Sequence, residues 1–159
     1  MLSDAQIKRL WEEWIAAETR AYWYAELSTK YQQRQRIITI LSLVLSSGAA
    51  VLFFTRIGLA PYIAILAAIV SAVSLVEQNY RRAILADDLH SKWNRIALEC
   101  TRLWESWFSE EAAERFRQVE NLAFDASQSS TSAGFKYDAK ALGHWQDVAQ
   151  MHHGIKSAA

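Results

Sequence analysis

Between Arg36 and Glu77 the only charged side chain is Arg56, and forty residues so poor in charge constrain this chain more than any other feature. Ile37 to Thr55 runs nineteen residues without a charge, and Ile57 to Val76 runs twenty. A helix rises about 1.5 Å per residue, so each half is about 28–30 Å long, the depth of a bilayer's hydrocarbon core. Unpaired backbone amides are costly in lipid, so both halves are expected to be helical. Both are apolar all round rather than striped, unlike the amphipathic helices of a water-soluble bundle. The expectation is a two-span transmembrane hairpin over 37–76. Arg56, Gly58 and Pro61 crowd its turn, with Pro61 suited to the first turn of the second helix.

Orientation follows from the flanks. Lys30, Arg34 and Arg36 precede the first half, Arg81 and Arg82 follow the second, and Arg56 stands alone between them. The positive-inside rule then puts both termini in the cytoplasm and the turn outside. Over the whole chain the charge is balanced, 17 basic against 17 acidic residues, which gives no field for genomic DNA. The lone Cys100 has no partner for an internal disulfide, and no cleavable signal peptide is visible.

The polar arms read as helices. Ser3-Asp4-Ala5-Gln6 has the form of a capping box. Behind it Leu10, Trp14, Ala17, Ala21, Tyr24, Ser28 and Tyr31 alternate spacings of four and three, one seam of an N-terminal cytoplasmic helix over 1–36. Leu89, Trp93, Ile96, Cys100, Leu103 and Trp107 repeat that rhythm in a cytoplasmic extension over 77–126. Ser109-Glu110-Glu111 resembles a fresh helix start, and Ala112, Phe116, Val119 and Ala123 fall on one side of the helix it would open. Residues 127–134 are Ser-rich and expected as a flexible loop, and 135–159 as a C-terminal helix and tail carrying Leu142, Trp145 and Val148. The fold class expected is therefore an all-α membrane protein: a two-span hairpin with long helices extending into a cytoplasmic helical domain.

No catalytic set stands out. There is no phosphate loop, no CxxC, no HExxH and no nucleophile elbow, so no enzyme is expected. His144, His152 and His153 are the nearest approach to a metal cluster. His144 and His152 share a face two helical turns apart, too far to hold one ion without another element, so a polar tail is expected, with no metal and no cofactor. Asp87 and Asp88 point about 100° apart on a helix and read as a solvated face, and His90 as a polar contact at the seam.

What remains is the hairpin. Thr39, Ser42 and Ser46 make a hydroxyl stripe on its first half, and Ser71, Ser74 and Gln78 a comparable one on its second. These are the pore-lining candidates, equally able to join helices by hydrogen bonds. Ala60, Ala64, Ala68 and Ala72 recur every fourth residue as a helix-packing face. Two spans cannot enclose a pore, so conduction requires a homo-oligomer, with a tetramer the expected form. Trp14, Tyr24, Trp93, Ile96, Leu103 and Trp107 are the candidates for an oligomer seam or a helical core. All seven Trp lie outside the hairpin, and with Arg81, Arg82, Arg95 and Arg102 nearby they could stack on and neutralise a nucleotide.

The aromatic first helix (Trp11, Trp14, Tyr22-Trp23-Tyr24, Tyr31), the two-span hairpin, the exit Tyr80-Arg81-Arg82, Leu89-His90-Ser91-Lys92-Trp93 and Leu103-Trp104 together resemble the SLATT class. These are two-transmembrane effector domains of prokaryotic nucleotide-linked conflict systems, the Hailong-type anti-phage systems among them. The resemblance covers almost the whole chain and rests on architecture and scattered aromatics. It implies a pore-forming effector that depolarises the inner membrane on infection, answering a nucleotide or oligonucleotide signal from a partner nucleotidyltransferase. The alternative is a non-conducting, membrane-anchored helical scaffold that recruits a cytosolic partner.

Overall fold

The computed structural model describes residues 1–46, 55, 62, 65, 66, 68, 69, 72 and 79–154. Four helices account for most of them: α1 (Asp4–Ser46), α2 (Asn79–Glu105), α3 (Ala112–Ser132) and α4 (Ala139–His152). No strand occurs among the described residues. The chain divides into two compact units, the first made of Met1–Glu26 with Leu85–Ala159 and the second of Leu27–Ile84.

In the first unit the seams are buried. Ser3 and Gln6 close the capping box that starts α1: the Ser3 amide donates to Gln6 Oε1 at 2.9 Å and the Gln6 amide to Ser3 Oγ at 3.4 Å. Leu10, Trp14, Ala17, Ala21 and Tyr24 lie on the buried face of α1, and Leu89, Trp93, Ile96, Cys100 and Leu103 on that of α2. Phe116, Val119, Ala123 and Ala126 of α3 complete this core. Removing a Leu or Ile side chain from water contributes about 1.5–3 kcal/mol, which makes these seams the main stabilising term. Polar contacts fix the register. His90 Nδ1 donates to the Ala21 carbonyl at 2.9 Å, tying α2 to α1. Trp93 Nε1 donates to Ser130 Oγ at 3.3 Å, tying α2 to α3. Arg9 pairs with Glu120 at 2.5 Å, tying α1 to α3. The amino terminus is anchored too, with the Leu2 amide bonded to the Trp107 carbonyl at 2.9 Å.

Two boundaries differ from the sequence pattern. The N-cap of α3 is Glu111 rather than Ser109, and its side chain makes no capping bond. The Ser-rich run expected as a loop continues α3 as far as Ser132. There the hydroxyls of Ser129, Ser130, Thr131 and Ser132 each donate to the carbonyl four residues back, at 2.8–3.1 Å. These bonds satisfy the hydroxyls within the helix, so a composition typical of flexible chain is compatible with helix here. Gly134, at φ 65, then ends the run in the left-handed region.

In the second unit Ser28, Asn79 and Ala83 are buried, and the Arg82 guanidinium lies over the Tyr31 ring at 5.9 Å. Among the described residues no helix is long and apolar enough to cross a membrane. The expected membrane hairpin, the channel built on it and the inner-membrane location are corrected accordingly. The reason lies in α1. Among the described residues, α1 is one helix of 43 residues in which eleven charged residues precede Ile37, so the uncharged stretch described in it is Ile37–Ser46, ten residues. Ten helical residues reach about 15 Å, half the hydrocarbon thickness. The other hairpin residues fall outside the described set, apart from 55, 62, 65, 66, 68, 69 and 72.

Candidate functional site

The first unit gathers its most reactive side chains where α4 lies along α1. On α1, Glu18, Tyr22 and Glu26 recur every fourth residue and so share a face. Trp145 of α4 and the pair His152–His153 at its C-terminal end sit about two turns apart, the matching interval. The two helices run antiparallel along this line. Trp145 Nε1 donates to Glu26 Oε2 at 2.7 Å while its ring stacks on Tyr22 at 5.6 Å. At the other end His153 Nε2 lies 3.0 Å from Glu18 Oε2, and His152 Nδ1 lies 3.8 Å from the same oxygen.

Local structure explains how two neighbouring histidines reach one carboxylate. Asp138 caps α4 by accepting from the Lys140 and Ala141 amides at 3.1 and 3.0 Å. Fourteen residues later His152 is the last helical residue, and His153 has left helical geometry with φ −92 and ψ 9. Gly154, at φ 72, turns the chain immediately afterwards. Two successive helical side chains would diverge by about 100°. The break at His153 brings the two ring centroids within 5.1 Å.

Tryptophans wall the cluster. Trp14 Nε1 donates to the other Glu18 oxygen, Oε1, at 3.0 Å, which orients the carboxylate and leaves Oε2 toward the histidines. The Trp14 ring also meets His153 edge-on at 4.4 Å, and Trp11 does so at 5.3 Å. Trp104 packs against both indoles at 5.5 and 6.0 Å. Glu18 and His153 side chains are each only 13% exposed, whereas His152 is 66% exposed and leaves one side open to solvent. The Glu18 charge is felt nearby. Burial, with Glu18 second, raises the Tyr22 phenol above its ordinary range. Burial first, then the carboxylates of Glu13, Glu18 and Glu99, push the Cys100 thiol up to about 12, so this buried cysteine stays protonated and inert. Beside the cluster a cleft of about 420 Å³ opens between α1 and α4, lined in part by Trp11, Ile15, Thr19, Arg20, Leu142 and Gln146. Arg20 is already committed, its guanidinium 4.5 Å above the Trp93 ring.

The other sequence-derived candidates are dispersed. Trp14, Tyr24, Trp93, Ile96 and Leu103 lie in the core of the first unit, and Trp107 is half-buried at its edge. Arg95 and Arg102 are exposed on α2 in that unit, Arg102 paired with Glu99 at 2.7 Å, while Arg81 and Arg82 belong to the second unit. Thr39 is exposed and accepts from Gln35 Nε2 at 3.4 Å, and Ser42 is half-buried. Ser46 ends α1. Ala68 and Ala72 are exposed, whereas Ala60, Ala64, Ser71, Ser74 and Gln78 lie outside the described residues. Of the three histidines noted in the sequence, His144 stays exposed on α4 against Trp145, and the other two meet Glu18. Glu18 carries no sequence signal beyond its place on the Tyr22–Glu26 face. No protein-family model, curated protein or solved structure matches this chain.

Proposed function

We propose that the chain is a self-associating helical scaffold that works by assembly and by recruiting a partner rather than by catalysis. One observation carries this reading. In the second unit Ile37, Ile40, Leu41 and Val44 of α1 are 46–57% exposed, and Leu43 is 71% exposed. Tyr62, Ile65, Leu66 and Ile69, at the same three-and-four spacing, are 47–68% exposed. Half-exposed side chains of this size offer on the order of 100 Å² each, so nine of them present about 900 Å², close to what a stable interface buries per partner (about 800 Å²). Monomers rarely leave so much apolar surface in water. A second copy of this chain suits it, because a seam spaced by threes and fours complements itself. The formal net charge of zero adds no repulsion between copies. The SLATT resemblance supports assembly as the shared property. A pore would require membrane-spanning helices, and among the described residues no helix is long and apolar enough to be one.

Light scattering on untagged protein tests this. The expected result is a closed oligomer at micromolar concentration. Ile40→Glu with Val44→Glu should yield a monomer of unchanged helicity, since the core of the first unit is untouched. A wild-type monomer, or a chain that partitions onto lipid vesicles as a monomer instead of self-associating, would overturn the proposal.

A further inference from the structure

The meeting of α4 with α1 at Glu18 is more than a hydrogen-bonded contact. We infer that Glu18, His152 and His153 bind one divalent transition-metal ion of the zinc class, which clasps the C-terminal helix to α1. Each of the three residues presents one ligand atom, and these atoms all lie within 4.8 Å of one another. Zinc binds imidazole nitrogen and carboxylate oxygen at about 2.0–2.1 Å, so tetrahedral ligands stand about 3.3 Å apart. The distances of 3.0 Å from His153 Nε2 and 3.8 Å from His152 Nδ1 to Glu18 Oε2 bracket that value. A two-imidazole, one-carboxylate set suits zinc and its transition-metal neighbours and is poor for calcium or magnesium, which prefer all-oxygen shells.

Support around the ligands points the same way. A metal-bound carboxylate is usually held by a second hydrogen bond that fixes its orientation. Trp14 supplies it, donating to Oε1 and leaving Oε2 toward the ion. The indoles of Trp11 and Trp14 cover His153, while the exposed side of His152 leaves the fourth position to water. His144 is the built-in control, because it shares α4 but stands apart, exposed beside Trp145.

Untagged full-length protein, stripped with a chelator, should bind one zinc ion per chain in a calorimetric titration with zinc chloride. Cobalt(II) chloride should give the visible absorption of a four-coordinate site, and zinc should raise Tm. His152→Ala alters a solvent-exposed side chain and should keep the metal-free fold, yet weaken zinc binding at least about tenfold. Glu18→Gln should do the same or more, and Trp14→Phe should weaken binding about tenfold by freeing the carboxylate. His144→Ala should bind as the wild type does. No binding at zinc concentrations of about 100 μM, an affinity far weaker than zinc sites show, would overturn the inference. So would equal affinity in wild type and His152→Ala, or an equal loss in His144→Ala.

Discussion

Cys100 shows how much a single position can record of its surroundings. The side chain is fully buried in the α2 seam, and its thiol is pushed from an ordinary 9.0 up to about 12. The folded state therefore holds the thiol proton more tightly than the unfolded chain does. That contribution to stability is whole below about pH 9 and is lost as pH rises toward 12. Cys100→Ala leaves a small cavity and should cost about 1–2 kcal/mol near neutrality. Between about pH 8.5 and 10.5 the variant's stability should fall less steeply than the wild type's, as urea titrations at each pH would show. Parallel slopes would mean that the thiol does not carry the alkaline loss. The same burial predicts that iodoacetamide leaves Cys100 unmodified until the chain unfolds.

Helix ends and interiors make opposite demands on glycine, and α3 and α4 supply one case of each. Gly134 lies just beyond α3 at φ 65, with no atom within 4 Å of where a Cβ would stand. Gly143 sits inside α4, equally uncrowded. With space at both sites, backbone preference alone decides the sign. Gly134→Ala should destabilise by about 1 kcal/mol, because an L side chain disfavours the left-handed region. Gly143→Ala should stabilise by about 0.5–1 kcal/mol, because alanine restricts the unfolded chain and suits a helix. Denaturant midpoints of the two variants check both signs at once. The Ser129–Ser132 run belongs to the same scale. Its side chains could have favoured a loop, but their hydroxyls bond back to the helix and Trp93 adds a tertiary partner at Ser130.

The first unit joins segments far apart in the chain, Met1–Glu26 with Leu85–Ala159, so the parts of α1 and α2 within it should unfold together. Leu10 and Leu103 are at most 1% exposed, on different helices of this core. An aspartate at either site would bury a charge without a partner, a cost of several kcal/mol. Leu10→Asp and Leu103→Asp should each abolish the cooperative thermal transition seen by tryptophan fluorescence. Leu98→Asp, at a residue 49% exposed on α2, should shift it little. A Leu10→Asp variant that kept a native transition would show that α1 is not integral to this body.

Much of the helical architecture is legible in the sequence because it depends on local period. Leu10, Trp14, Ala17, Ala21 and Tyr24, and likewise Leu89, Trp93, Ile96, Cys100 and Leu103, fall every three or four residues whatever they pack against. Ser3 and Gln6 announce the start of α1 for the same reason, since a capping box closes within one turn. Hydropathy over 37–76 is equally visible but does not carry as far as a membrane. Apolar content measures a segment's reluctance to face water; it does not specify which surface covers it, and among the described residues no helix is long and apolar enough to cross a membrane. The cluster at Glu18 lies beyond sequence reasoning altogether. His152 and His153 read as a polar tail, and nothing local links them to a glutamate 134 residues earlier than His152. Only the antiparallel docking of α4 on α1, with the helix breaking at His153, brings two imidazoles and a carboxylate to one point.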